Sequence, residues 1–232
     1  MKIHYSLMGS DMNPFYLDFW PVVSRVWKQK FNITPVLGLI CDEDSDLYDD
    51  GYGLVKKFKP GNYFNIGNQS QLVRLYLSKF LSGNCIISDI DMIPLSKKYF
   101  IDDLKKFKKE DLIVMSSNHP MDGPNQYPMC YVAGNSTTFN KIFKTDVSWN
   151  SFLGSIPDNG WYTDQVFLYE SINKYKSRNL KFPFRSFFND RIDRSGWNYD
   201  ENLLKNGHYI DSHLLRPYCE YKTQIDKLIS LL

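Results

Sequence analysis

Short apolar runs alternate along the chain with longer stretches of helical spacing. "KIHYSLM" (residues 2–8), "ITPVLGLIC" (33–41), "LVKKFK" (54–59) and "CII" (85–87) read as strands, since each is a compact run of apolar and β-branched positions with turn formers nearby. Pro14 opens an aromatic helix through about Lys30, broken at Pro21, whose ring and missing N–H interrupt a helical ladder. "NQSQLVRLYLSKFL" (68–81) sets Leu72, Leu75, Tyr76 and Leu77 at helical spacing, with Gly83 as its stop. A lysine-rich helix over 97–109 leads to the strand "DLIVMSS" (111–117). Strand, helix, strand in this rhythm predicts an α/β fold with a largely parallel central sheet flanked by helices.

The second half is less regular. "HPMDGPNQYP" (119–128) is rich in turn formers, and "MCYVAGN" (129–135) is a short strand. Helices are expected over 136–143 and 163–176, and "QIDKLISLL" (224–232) closes the chain as an amphipathic helix. Phe182 to Gly207 is aromatic but weakly periodic. There is no internal repeat, low-complexity tract or linker, so residues 1–232 are expected to form a single domain.

Composition narrows the function classes. A length of 232 residues is enough for a core without staples. The net charge of +2, with the lysines of 97–109 interleaved with Asp102 and Asp103, lacks the basic stripe of a nucleic-acid binder, so none is expected as partner. The four cysteines form no CxxC pair, which argues for a reducing compartment and against a zinc site. "MKIHYSLMGS" reads as a first strand rather than a signal peptide, and no run approaches the roughly 20 apolar residues of a membrane span. A soluble, cytoplasmic protein is the expectation. Aromatics at 16% supply packing area and, where exposed, surfaces for stacking sugars.

The candidate chemistry lies in "CIISDIDMIPLS" (85–96), where an apolar strand runs into Asp89 and Asp91. Ligands of open α/β sheets gather at the carboxyl ends of strands. Two carboxylates this close repel unless a cation lies between them. Their hard oxygens suit Mg²⁺ or Mn²⁺, which keep one or two protein carboxylates and take substrate phosphates for the rest. The pair therefore reads as a metal–diphosphate site, with a turn-capping role as its plain alternative. Two enzyme classes carry such a pair after a strand, namely haloacid-dehalogenase-like phosphatases and nucleotide-sugar glycosyltransferases. A phosphatase of that kind places the pair at its first strand, whereas two or three strands precede Asp89 here. A carbohydrate-binding module is the non-enzymatic reading of the aromatic richness.

Five stretches in order carry a resemblance: "NQSQLVRLYL" (68–77), "SDID" (88–91), "YVAGN" (131–135), "WYTDQVFL" (161–168) and "HYIDSHLLRPY" (208–218). Together they resemble GT-A fold glycosyltransferases, with a layout closest to the glycogenin-like group. The resemblance implies a GT-A (nucleotide-diphospho-sugar transferase) fold, a UDP-sugar donor and a glycan or other hydroxyl acceptor. It implies Asp89, Asp91 and His213 as ligands of Mn²⁺ or Mg²⁺, and Asp89, Ile90, Arg74 and Arg216 as donor contacts. Gly134 would line the sugar pocket, and Ser6, Met8 and Gly9 would end the first strand where a base rests, although a tight turn at Gly9 explains them equally. Asp42, with Asp44 beside it, would meet uracil or ribose, with a solvated acidic loop as the plainer reading of both, and Asp164 would be catalytic. Two departures bear on donor sugar and stereochemistry: "YVAGN" lacks the usual Asn before its small residues, and Arg216 stands where Lys is common.

The same residues have plainer readings. Thr163 suits a helix cap and Asp164 the dipole of a first turn. A neutral His213 imidazole would complete a carboxylate–diphosphate site, but a surface histidine is equally consistent. Arg216 offers a planar fork that matches phosphate oxygens. Trp161 and Tyr162 suit either an acceptor-sugar floor or the core.

Overall fold

The computed structural model describes residues 1–115, 117, 121, 123–175, 180–181 and 187–232. Its strands are β1 (Tyr5–Asp11), β2 (Thr34–Ile40), β3 (Tyr48–Asp49), β4 (Leu54–Phe58), β5 (Asn84–Ser88), β6 (Met92–Pro94), β7 (Leu112–Val114), β8 (Tyr131–Asn135), β9 (Leu180–Lys181), β10 (Arg191–Asp193) and β11 (Asp211–His213). The main sheet has the order β3-β4-β2-β1-β5-β8-β7-β9. β4, β2, β1 and β5 run parallel. β8 enters antiparallel between β5 and β7, and β3 forms an antiparallel edge on β4. The sheet is therefore parallel at its centre and mixed at its flanks. Apolar periodicity marks a strand without giving its direction, so the sequence does not announce the reversal.

The central strands are buried on both faces, which is why they read as nearly unbroken apolar runs. Alternate side chains enter two cores. Leu7, Val36, Ile40 and Ile87 face the helix Ile66–Tyr76, while Met8, Leu37, Leu39 and Ile86 face the other layer, with Trp20, Val23, Trp27 and Ile225. Asn65 caps the helix Ile66–Tyr76, its side chain accepting from the Asn68 N–H at 2.9 Å. That helix continues as a tighter turn through Phe80. The aromatic segment from Pro14 divides into the helices Pro14–Leu17 and Trp20–Arg25, with Pro21 in the first turn of the second, where its missing N–H costs nothing. The lysine-rich stretch is helical only from Lys98 to Lys105, and the C-terminal helix begins earlier than its apolar stripe, at Tyr218. The expected helices at 136–143 and 163–176 are observed as Ser136–Phe143 and Thr163–Lys174.

Two glycines set how closely the helix Ile66–Tyr76 approaches the sheet. A Cβ on Gly9 would lie 2.0 Å from the Ser70 carbonyl oxygen, and one on Gly38 would lie 2.7 Å from a Val73 methyl. The close seat brings Arg74, one turn beyond Ser70, level with the end of β5. Gly9→Ala is expected to destabilise the fold by about 1–3 kcal/mol, because its obstacle is backbone that cannot rotate aside. Gly38→Ala meets only a side chain and should cost less. Urea unfolding of both variants checks this; equal losses would mean that the close approach at Gly9 is unimportant.

A second, small sheet has the order β10-β11-β6. β10 pairs parallel with β11, and β11 pairs antiparallel with β6, so Asp193, His213 and Met92 lie side by side. β6 begins directly after Asp91. Leu214 N–H also donates to the Asp91 carbonyl at 2.9 Å, which ties the late segment to the strand-end acids. Among the described residues no helix is long and apolar enough to cross a membrane.

Candidate active site

Beyond the carboxyl ends of β1 and β5 lies a cavity of about 550 Å³. Gly9 and Ser10 wall it from β1, and Gly67, Ser70, Gln71 and Arg74 from the helix Ile66–Tyr76. Asp89, Ile90 and Asp91 enter after β5, and Trp161, Tyr162, Asp164 and Gln165 at the start of the helix Thr163–Lys174. Arg191, Arg194, His213 and Arg216 close it from the second sheet and its exit. A second cavity of about 620 Å³, on the far layer by Trp20, Leu37, Leu39 and Val55, is walled mainly by apolar side chains. The carboxylate–arginine chemistry is in the first.

Within that cavity the charges form two groups. Arg74 bridges the first, its Nη1 donating to Asp89 Oδ1 and its Nη2 to Asp164 Oδ2 at 2.5 Å. Burial works against the charge on Arg74, but the two carboxylates more than offset it and hold the guanidinium protonated. Asp164 is 2% exposed, and its Oδ1 accepts from the Gln165 N–H at 2.8 Å. Burial pushes its carboxyl above the ordinary range, and Arg74 offsets only part of this.

Asp91 centres the second group. Its Oδ2 faces Arg194 Nη1 at 2.8 Å, His213 Nε2 at 3.4 Å and Arg216 Nη1 at 3.7 Å. Burial alone would raise its pKa, but His213, Arg194 and Arg216 hold the carboxyl well below the usual range. Burial likewise opposes the charge of His213, which its carboxylate partners Asp193 and Asp91 nevertheless raise. His213 Nδ1 lies 3.3 Å from Asp193 Oδ2, a contact that orients the ring and leaves Nε2 directed at Asp91. Arg216 donates to the Tyr16 hydroxyl at 2.8 Å and stacks on the Phe15 and Tyr16 rings, with centroid distances of 5.1 and 5.3 Å. Arg191 is engaged by both oxygens of Asp211, at 2.8 and 2.7 Å.

The structure thus brings Gly9, Arg74, Asp89, Ile90, Asp91, Asp164, His213 and Arg216 to one cavity. It places four expected residues elsewhere. Ser6 and Met8 are buried within β1, short of the strand end. Gly134 pairs with Cys85 inside the sheet, and a Cβ there would meet the Phe139 ring at 2.7 Å, so its small size serves the core. Asp42 is exposed in the loop after β2 and does not line the cavity, while Asp44 accepts from the Lys59 N–H at 2.9 Å. Trp161 lines the cavity mouth with 59% of its surface exposed, so it is not a core residue.

The donor set can be weighed against the expected cation. Asp91 oxygen and His213 Nε2 converge, and Asp193 buttresses the imidazole, as befits a hard divalent ion with two protein ligands. Asp89 does not join them, because its carboxylate is turned to Arg74. Among the described residues no group of three His, Cys, Asp or Glu side chains has metal-holding geometry. Two protein ligands therefore fit, and the remaining positions would fall to phosphate and water.

Arg191, Asp193, Arg194 and Gln71 are site residues that the motifs do not reveal. "RIDR" (191–194) does carry a signal: two charged positions, Arg191 and Asp193, alternate around the buried Ile192. Among the described residues Gln71 and Gln165 each keep a buried side-chain oxygen without a hydrogen-bond partner, and both line the cavity. Such acceptors are costly to leave unmet and call for a hydroxyl or N–H from a ligand.

No protein-family model matches the sequence, and no curated protein matches it either. Solved structures do. The chain is similar to the galactosyltransferase LgtC, solved in complex with donor and acceptor sugar analogs, at 12% identity and TM-score 0.48, covering 100% of this chain and 95% of that one. It is similar to GlyE of Streptococcus pneumoniae TIGR4 at 11% identity and TM-score 0.47, covering 99% of this chain and 64% of that one. It is also similar to a glycosyltransferase involved in glycosylation of the major capsid of PBCV-1, at 8% identity and TM-score 0.56, covering 98% of this chain and 100% of that one. The chain has the fold of a glycosyltransferase.

Proposed function

We propose that the chain is a glycosyltransferase that moves a sugar from a nucleoside-diphosphate donor, a UDP-sugar, to a hydroxyl of a glycan acceptor. The observation that carries this reading is the second charge group. Asp91 and His213, with Arg194 and Arg216 beside them, are gathered at the carboxyl end of β5, opposite the Arg74–Asp164 pair. Guanidinium forks match the oxygens of a diphosphate. Asp91 and His213 would hold Mn²⁺ or Mg²⁺, which would supply Lewis-acid stabilisation of charge on the leaving diphosphate. Arg216, fixed by Tyr16 and two ring faces, is preorganised to add to that stabilisation. Trp161 at the mouth offers an exposed face to an acceptor sugar, and the Gln71 and Gln165 oxygens accept from sugar hydroxyls.

The test is a thermal-shift and calorimetric series with UDP, GDP and CMP, each with and without Mn²⁺. UDP with Mn²⁺ is expected to stabilise most, by about 2.7 kcal/mol at a hundredfold excess over Kd. Tighter binding of GDP or CMP would overturn the choice of base. Release of phosphate from simple esters, with no nucleotide binding, would favour a phosphotransferase. Glycan binding indifferent to EDTA would favour a binding module.

A further inference from the structure

Among the described residues four arginines line the cavity, and they are not equally held. Arg74 is buried and shared by two carboxylates. Arg191 is gripped at both ends of the Asp211 carboxylate. Arg216 is fixed by Tyr16 and two aromatic faces. Arg194 differs. It stands in the one-turn helix Arg194–Gly196, its side chain is 27% exposed, and its partner among the described residues is Asp91 Oδ2 at 2.8 Å. His213 and Arg216 face the same oxygen from farther away, at 3.4 and 3.7 Å. Among the described residues the closest cation to Asp91 is thus also the least anchored.

A divalent ion held by Asp91 and His213 needs the carboxylate that Arg194 engages. Two cations cannot share so small a space without strong repulsion. A guanidinium released from Asp91 stays within the same cavity, where a pair of phosphate oxygens offers its fork an equivalent bidentate partner. We propose that Arg194 is a latch on Asp91, which passes from the carboxylate to a ligand diphosphate when the divalent cation enters. The inference rests on the metal–nucleotide reading of the site. Its consequence is energetic. The cation alone must displace Arg194 without compensation, whereas cation and diphosphate together give Arg194 a new partner. Each ligand therefore strengthens the other, and the coupling is reciprocal.

Calorimetry on the full chain tests this, with MnCl₂ alone, UDP alone and MnCl₂ in saturating UDP. Wild type, Arg194→Gln and Arg194→Lys are compared. Arg194→Gln should bind Mn²⁺ alone about 5–10-fold tighter than wild type, and the factor by which UDP strengthens Mn²⁺ binding should fall by about tenfold. Arg194→Lys keeps the charge but loses the fork, so it should lie between the two. The latch is overturned if Arg194→Gln lowers UDP affinity while Mn²⁺ affinity stays unchanged or weakens, since that describes a simple phosphate contact. It is overturned equally if both affinities and their coupling stay at wild-type values. Failure of wild type to bind either probe would overturn the functional reading and the latch together, whereas normal wild-type binding with an unchanged variant removes the latch alone.

Discussion

Replacing Asp91 with alanine is expected to erase the Mn²⁺ dependence of UDP binding. The mutation removes the oxygen on which His213, Arg194 and Arg216 converge. Changes to residues that merely orient a metal ligand cost about 10–100-fold in affinity, so loss of a ligand itself should cost about 100-fold or more. UDP affinity should then be the same in Mn²⁺ and in EDTA. The substitution also leaves the Arg194 and Arg216 guanidinium groups and the His213 imidazole facing one another without a carboxylate between them. Breaking a buried ion pair costs about 3–5 kcal/mol. Here the Arg194 and Arg216 side chains are 27% and 23% exposed, and solvent screening should bring the loss nearer 1–2 kcal/mol. Asp91→Asn keeps the shape and an acceptor oxygen, and serves as the milder control. If Mn²⁺ still strengthens UDP binding in a folded Asp91→Ala protein, the cation is held elsewhere.

Much of this site was legible in the sequence because it is built from local motifs. "SDID" follows an apolar strand, and "YIDSHLLRPY" carries His213 and Arg216 only three residues apart. What escaped has a common physical cause: the partners lie far along the chain and their elements are short. β10 and β11 have three residues each, too few to show a period. The small sheet exists because β11 pairs with β6, more than a hundred residues earlier, and carries β10 on its other edge, which delivers Arg194 and Asp193 to the acids. The sequence also does not say how far along a strand the cavity reaches, as the buried positions of Ser6, Met8 and Gly134 show. A strand that feeds a site reaches it only with its last positions, here Gly9, Ser10 and Asp11, while Ser6 and Met8 stay buried within β1. The spacing of Asp89 and Asp91 suits a metal ligand or a donor contact for Asp89 equally. Spacing places both after β5 but does not decide that Asp89 turns to Arg74 on the neighbouring helix.

Asp164→Asn is expected to separate chemistry from donor binding. The residue sits in the first turn of the helix Thr163–Lys174, almost fully buried, with one oxygen on Arg74 and the other on the Gln165 N–H. Asparagine has the same outline, and Arg74 retains Asp89, so the cavity should keep its shape. UDP affinity should stay within about a factor of three of wild type. Transfer should fall by about 10²–10⁴-fold, the scale of a positioned acid, base or charge. In an inverting reaction the carboxylate would take the acceptor proton, and in a retaining one it would stabilise charge beside the donor sugar. Burial has raised its pKa, so a base in this position would lose activity with falling pH at less acidic values than an exposed aspartate would. Asp91→Ala should instead lose donor binding and transfer together, and that contrast distinguishes the two roles. Near-normal transfer by Asp164→Asn would reduce Asp164 to a partner of Arg74. The alternatives are then few. Asp158 is committed to the turn, accepting from the Gly160 N–H at 2.8 Å, Asp211 is bound to Arg191, and Asp122 lies outside the described residues. Asp89, whose side chain is 31% exposed at the cavity, would become the next carboxylate to test.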